Sequence, residues 1–282
     1  MPARSKAVLI TGCSSGIGRA TAERLAADGW KVYASARRPE TIADLADRGC
    51  QTMALDVTDE DSMQRAVNAV TDAEGAVGVL INNAGYSQSG AVETVPLASV
   101  RRQFETNVFG LIRMCQLVLP GMREQHCGKI VNLGSMGGKL TFPGGGLYHA
   151  TKYAVEALSD ALRFEVRGFG IDVILIEPGL ITTEFAETAA ASVGEAGDAG
   201  PYADFNRSVA KITEGAYRGR LRRLGGGPEA VADAIAGALK SSRPKPRYPV
   251  TLSAHLMINQ RRLMPDQLWD LVMRSQYPTP KG

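Results

Sequence analysis

The chain has 282 residues, of which 44% are hydrophobic and 22% charged, with a net charge of +3. That is enough chain and apolar content for one large globular unit with a real core, and the charge is too small to make nucleic acid the main partner. Four cysteines at 13, 50, 115 and 127 lack CxxC spacing, which speaks against a zinc site or redox pair and leaves no metal expected.

The opening Met1 to Lys6 runs straight into a strand-like segment, without the apolar region of a signal peptide. The first strand is expected over Ala7–Ile10, followed by the turn Thr11-Gly12-Cys13-Ser14-Ser15-Gly16-Ile17-Gly18 and a helix over Gly16–Asp28. Strands at Lys31–Ala36 and Thr52–Leu55 follow, then a helix over Asp59–Glu74 and a strand at Val79–Asn82. A long helix is expected near Arg102–Gln125, a strand at Lys129–Leu133, a helix over Leu147–Arg167 and a strand at Asp172–Glu177 that Pro178-Gly179 stops. The longest apolar stretch, around Val173–Ile176, is far too short to span a bilayer. Residues 180–227 are rich in small residues and long for a βα connection, which predicts a lid. A helix over Pro228–Lys240 and a strand at Tyr248–Thr251 complete the alternation. The tail, residues 252–282, reads as one more helix whose Leu256, Leu263, Leu268 and Leu271 fill a core or subunit contact. Alternating strands and helices with uninterrupted apolar strands predict a doubly wound Rossmann fold: a seven-stranded parallel sheet, ordered 3-2-1-4-5-6-7, in a single domain over residues 1–282.

The chemistry follows from what stands at the strand ends. A glycine turn between strand and helix lets a pyrophosphate approach backbone N–H groups at a helix N-terminus. Gly12 permits the tight turn, Gly16 the close approach, and Gly18 close helix–sheet packing. The second strand ends without an acid and is followed by Arg37-Arg38. A carboxylate there would repel a ribose 2′-phosphate, whereas Arg37 can clamp it, with Ser35 or Ser14 adding a hydroxyl, so the cofactor expected is NADP(H). Tyr148 and Lys152 are four apart and share a helix face. An ammonium there favours the phenolate, which suits Tyr148 to exchange a proton with a carbonyl oxygen. Ser135, at the end of the fifth strand, can polarise that oxygen. His149 lies roughly 100° round the helix from Tyr148 and reads as packing or surface. Arg218, Arg220, Arg222 and Arg223 read as a solvated face or lid.

The spacing TGxxxGxG, followed in order by Asn82-Asn83-Ala84-Gly85, Asn107, Ser135, Tyr148-His149-Ala150-Thr151-Lys152 and Pro178-Gly179, resembles the classical short-chain dehydrogenase/reductase family over roughly residues 5–250. Many members carry a second serine before the reacting one, and here Gly134 takes that place. The resemblance implies that Asp56-Val57 contact adenine and that Asn82 and Ala84 line the adenosine ribose. It further implies that Lys152 holds the nicotinamide ribose hydroxyls and that Asn107 holds a water linking Lys152 to a proton relay. Beyond Pro178-Gly179, Thr182, with Thr183 close behind, would bond the nicotinamide carboxamide. Cofactor contacts are thus expected at Gly12, Ser14, Ser15, Gly16, Ile17, Gly18, Arg37, Asp56, Val57, Asn82, Ala84, Gly85, Tyr148, Lys152, Pro178, Gly179 and Thr182. Pairing through the long helices into a homodimer or homotetramer is also implied.

With its tail, the chain looks most like the branch that holds 17β-hydroxysteroid and retinol dehydrogenases. Its expected activity is NADP-dependent interconversion of a small-molecule ketone or aldehyde with its alcohol, probed by Phe142, Phe185, Tyr202, Phe205 and Tyr217 around a roomy apolar pocket, in the cytoplasm. The rival reading is a regulator that senses NADP(H) without turnover. An intact Ser135–Tyr148–Lys152 set argues against it, since a sensor need not keep all three.

Overall fold

The computed structural model describes residues 5–197, 200–218 and 223–280. Seven strands, β1 (Ala7–Ile10), β2 (Lys31–Ala36), β3 (Gln51–Ala54), β4 (Val79–Asn82), β5 (Gly128–Leu133), β6 (Ile171–Pro178) and β7 (Arg247–Val250), form the sheet. All neighbours are parallel, in the order β3-β2-β1-β4-β5-β6-β7. The expected fold and strand order therefore hold, with boundaries moved by a residue or so at β3, β5, β6 and β7.

The strands carry no polar alternation because both faces are covered. Within β1, Val8 and Ile10 join one core with Leu25 of helix α1 (Gly16–Ala27) and Ile235 of α8, the helix over Pro228–Lys240. Ala7 and Leu9 point the other way. They pack with Val67 of α2 (Glu60–Glu74), Met114 of α4 (Gly110–Glu124) and Val155 of α5 (Gly146–Val166). Each large aliphatic chain so buried contributes about 1.5–3 kcal/mol. The chain runs outward from β1 to β3, then returns so that β4 starts the other half beside β1. The crossovers diverge there and leave a crevice at the carboxyl ends of the strands.

Three differences from the expected elements matter. The long helix begins earlier, as α3 (Leu97–Phe104), and passes through a π-helical turn at Glu105–Phe109 before α4. The segment between β6 and α8 contains two helices, α6 (Phe185–Ser192) and α7 (Ala203–Arg218). The tail forms two helices, α9 (Leu252–Leu263) and α10 (Asp266–Gln276), separated at Met264-Pro265. Its leucines do not fill the core: Leu256, Leu263, Leu268 and Leu271 are all exposed, while Trp269 and Met273 pack on Leu140. Among the described residues, no helix is long and apolar enough to cross a membrane.

Candidate active site

One cleft of about 1040 Å³ runs along the carboxyl ends of the strands. At one end it is lined by Gly12, Ser14, Ser15, Gly16 and Ile17. Gly12 has φ +73°, and a Cβ on it would lie 2.9 Å from Ala84 Cα, so the turn excludes any larger residue. Gly18 does not reach the cleft; a Cβ there would stand 2.3 Å from Gly12 O, so its bareness lets α1 close on the turn. Ser15 caps α1 in extended conformation with no side-chain cap bond, leaving first-turn N–H groups for an anion. The residues present thus fit a dinucleotide pyrophosphate.

The turn is held by Asn83. Its Nδ2 donates to Thr11 O at 2.9 Å and Gly12 O at 2.8 Å, while Thr11 Oγ1 accepts from Asn83 N and Ala84 N at 3.0 Å each. Ala84 and Gly85 line the cleft, but Asn82 does not. It is buried behind the sheet ends and donates to Asn132 Oδ1 at 2.9 Å. Asn82 is therefore not placed against an adenosine ribose. Arg37 lines the cleft just past β2, whereas Arg38 does not. Ser35 is fully buried and donates to Ile10 O at 2.7 Å, so it cannot serve a phosphate. Asp56 and Val57 both line the cleft. Cys13, inside the turn, is no nucleophile: burial pushes its thiol up to about 12.

At the other end of the cleft stand Ser135, Tyr148 and Lys152. Helix α5 begins at Gly146, so Tyr148 and Lys152 project from its first turns one above the other. Lys152 Nζ lies 5.7 Å from the Tyr148 ring centroid and donates to Leu133 O at 2.7 Å. Burial brings its ammonium down to about 8, which still leaves it charged at neutral pH. Ser135 follows β5, and its Oγ accepts from Gly137 N at 3.0 Å. That bond occupies a lone pair and leaves the hydroxyl proton for another acceptor.

Asn107 sits in the π-helical turn and is buried, off the cleft. Its Oδ1 accepts from Tyr86 N at 3.1 Å, and its Nδ2 donates to Tyr86 O at 2.9 Å and Thr151 Oγ1 at 3.1 Å. The side chain braces the Tyr86 loop against α5 and has no bond to Lys152. Pro178 and Gly179 line the cleft, as expected. Thr182 does not: it is exposed, and its N–H is taken by Gly226 O at 2.9 Å. Thr183 lines the cleft instead, with its side chain beside Gly16.

The remaining wall is mainly apolar, with Met136, Phe142, Phe185, Val209, Ile212 and Met257. Phe185 approaches Tyr148 with ring centroids 5.4 Å apart. Of the other expected aromatics, Tyr202 bonds Glu93 at 2.7 Å and, like Phe205, is not in the lining. The Tyr217 and Arg218 side chains and the whole of Arg220 and Arg222 lie outside the described residues, and Arg223 is exposed, off the cleft. The tail supplies Met257 and Tyr277, contacts that periodicity alone could not find because they depend on where α9 and α10 fold back.

Residues 6–193 match the family model described as short chain dehydrogenase. The chain is 36% identical over 272 residues to the uncharacterized oxidoreductase YbbO of Escherichia coli, covering 95% of this chain and 94% of that one. It is 37% identical to a 3-ketodihydrosphingosine reductase of Bacteroides thetaiotaomicron, covering 96% and 97%. It is 33% identical to an NADPH-dependent 3-dehydrocapnine reductase of Ornithobacterium rhinotracheale, covering 94% of each. Among solved structures, a serine dehydrogenase complexed with NADP+ superposes with a TM-score of 0.74 at 28% identity, covering 86% of this chain and 93% of that one. A Burkholderia phymatum short chain dehydrogenase in complex with NAD superposes with 0.78 at 25% identity, covering 99% and 97%. Fold, motif order and matches over nearly the whole chain agree: this protein belongs to the short-chain dehydrogenase family of oxidoreductases.

Proposed function

We propose that this protein is an NADP(H)-dependent oxidoreductase that interconverts a bulky, mainly apolar ketone or aldehyde with its alcohol. The observation that carries this reading is the single cleft that joins the glycine turn and Arg37 to Ser135, Tyr148 and an apolar wall. When bound, the reduced nicotinamide supplies the hydride. Tyr148 then gives its phenolic proton to the carbonyl oxygen, and takes one from the alcohol in the reverse direction. The nearby Lys152 ammonium favours the phenolate that this exchange forms. Ser135, with its lone pair already engaged by Gly137, donates to the same oxygen and stabilises developing negative charge. Arg37 and the absence of an acid beside it support a 2′-phosphate over a bare hydroxyl. Two relatives are named as reductases of 3-ketodihydrosphingosine and 3-dehydrocapnine, the second as NADPH-dependent, which supports ketone reduction as the direction.

On this reading, the described part of residues 180–227 forms a lid over the apolar half, and the described part of residues 252–282 is an extension of one domain that closes the cleft through Met257 and Tyr277. Assembly into a cytoplasmic homodimer or homotetramer through α4 and α5 belongs to the same proposal. It is supported by the exposed Phe109 and Phe164 on those helices and their borders. The test is oxidation of NADPH and of NADH with ketones and aldehydes graded in size and polarity. Turnover favouring NADPH and bulky apolar carbonyls is expected. Tight NADPH binding with no turnover on any of them, in either direction, would overturn the enzymatic reading in favour of a sensor.

A further inference from the structure

The sequence offers no obvious task for His149, which faces away from the Tyr148–Lys152 line, yet the structure encloses it with care. It is 7% exposed, at the start of α5. Its ring packs edgewise on Tyr148, with centroids 5.7 Å apart, and on Phe142, at 5.8 Å. Two glycines make room for it. A Cβ on Gly137 would stand 2.5 Å from Nδ1, and one on Gly145 would stand 2.7 Å from Nε2. Neither glycine has positive φ, so at both positions it is space for the imidazole, and not backbone conformation, that excludes a side chain.

The polar contact of the ring is specific. His149 Nδ1 lies 2.9 Å from Gly137 O. A carbonyl can only accept, so Nδ1 carries the proton and the ring takes the Nδ1–H form. Burial also lowers its pKa, in keeping with a neutral ring. Gly137 in turn donates its N–H to Ser135 Oγ at 3.0 Å. A continuous line thus runs from α5, one residue after Tyr148, through the backbone of Gly137 to the serine hydroxyl. Gly137 and Gly138 belong to a single short 3-10 turn, Met136–Gly138, whose following residue, Lys139, is also tied to α5 by its ion pair with Glu156 at 2.5 Å; His149 is the tie that reaches the turn itself.

We infer that His149 is a positioning residue. It locks the turn after β5 to the start of α5 and so sets the Ser135 hydroxyl relative to Tyr148. The inference rests on the proposed use of Ser135. Two groups that act on one oxygen must be held to a fraction of an ångström, and a misplacement of about 1 Å can cost roughly 10²-fold in rate. His149 also lines the cleft, but the role inferred for it acts through the Gly137 carbonyl.

Two variants separate the hydrogen bond from the volume. His149→Asn keeps a donor two bonds beyond Cβ, where Nδ1 was, but loses most of the ring. His149→Leu keeps most of the volume and has no donor. Both are made in the full chain, with folding checked by thermal unfolding. The expected result is that His149→Asn holds kcat within about threefold while His149→Leu loses about 10-fold to 100-fold, with NADPH affinity unchanged in both. In a Ser135→Ala background, His149→Leu should bring little further loss, because the group it positions is gone. Equal losses in the two variants, a loss that follows volume, or losses that multiply in the Ser135→Ala background would overturn the inference while leaving the enzymatic reading intact. If Ser135→Ala alone left turnover unchanged, the proposed use of Ser135 would fail and this inference with it.

Discussion

Replacing Lys152 with methionine should abolish turnover and yet make the cofactor-free protein more stable near neutrality. Lys152 is 8% exposed, and burial takes its ammonium from 10.5 down to about 8. At about 1.4 kcal/mol for each pKa unit, holding the charged form inside the fold costs roughly 3 kcal/mol. The offset is the bond from Nζ to Leu133 O, and a carbonyl left without its partner costs about 1–3 kcal/mol. Methionine is of similar length, flexible and uncharged, so the net gain for Lys152→Met is about 1 kcal/mol at neutral pH. The pH dependence gives the sharper test. The folded value lies below the unfolded one, so the penalty is fully present below pH about 8 and disappears as pH rises to 10.5. Urea unfolding of wild type and variant, both free of cofactor because a bound ligand adds its own stability, should show the gap narrowing and then reversing over that window. A variant less stable than wild type at neutral pH, or a gap that ignores pH, would refute the reasoning.

Tyr148→Phe removes the proton donor and should lower kcat by about 10²–10⁴-fold; fluorescence titration should find NADPH affinity nearly intact, and retained turnover would end the assignment. Arg37→Asp should weaken NADPH by about tenfold or more relative to NADH, as loss of charge-assisted bonds worth about 1.5–3 kcal/mol predicts; the ratio of dissociation constants measures it. Glu177 is buried at the end of β6, and its carboxyl is raised to about 7, by burial first and then by the neighbouring Glu156 carboxylate. Stability that depends on its protonated form is complete below the usual value of 4.5 and is lost as pH rises through about 7. Glu177→Gln should therefore match wild type in mild acid and exceed it in chemical denaturation at about pH 8.

The parallel sheet was legible because its strands are apolar throughout and its turns stand at their carboxyl ends. β1, β2 and β4 begin and end where expected. The segment after β6 reads by its small residues as a lid with no helix assigned to it, but Ala189-Ala190-Ala191 sit in α6, and alanine is the strongest helix former. The tail misled through periodicity. Leu252, Leu256 and Leu263 share one helical face within about 40°, which reads as a core stripe. Yet α9 starts tight against Gly179, where a Cβ would lie 2.7 Å from Ala254 N. Only small residues fit there, so Ser253 and Ala254 turn inward and the leucines outward. That Tyr148, Lys152 and Ser135 line one cleft was legible from spacing along a helix and from place at a strand end. Thr183 in place of Thr182, and the fates of Ser35, Asn82 and His149, depend on which way a side chain turns from an irregular or fully buried backbone. No local pattern carries that information.

The adjacent asparagines at the end of β4 show how one such detail joins the two halves of the site. Successive side chains leave a strand on opposite sides. Asn83 turns to the glycine turn after β1, as described above. Asn82 turns to Asn132 of β5, whose Nδ2 donates to Ser159 Oγ of α5 at 2.9 Å, and Ser159 closes the line on Val155 O at 2.7 Å. β4 lies where the strand order reverses, so these two residues tie the glycine turn on one side and the helix bearing Tyr148 and Lys152 on the other to the same strand. Every member of the inner line is buried, and each polar group orphaned there costs about 1–3 kcal/mol. A slip of β4 by one residue would bring Ile81 or Ala84 into one of the two positions, where no side chain could replace the lost amide hydrogen bonds. The pair thus fixes the register at which the glycine turn and α5 meet, so Asn82 supports the cleft without facing it.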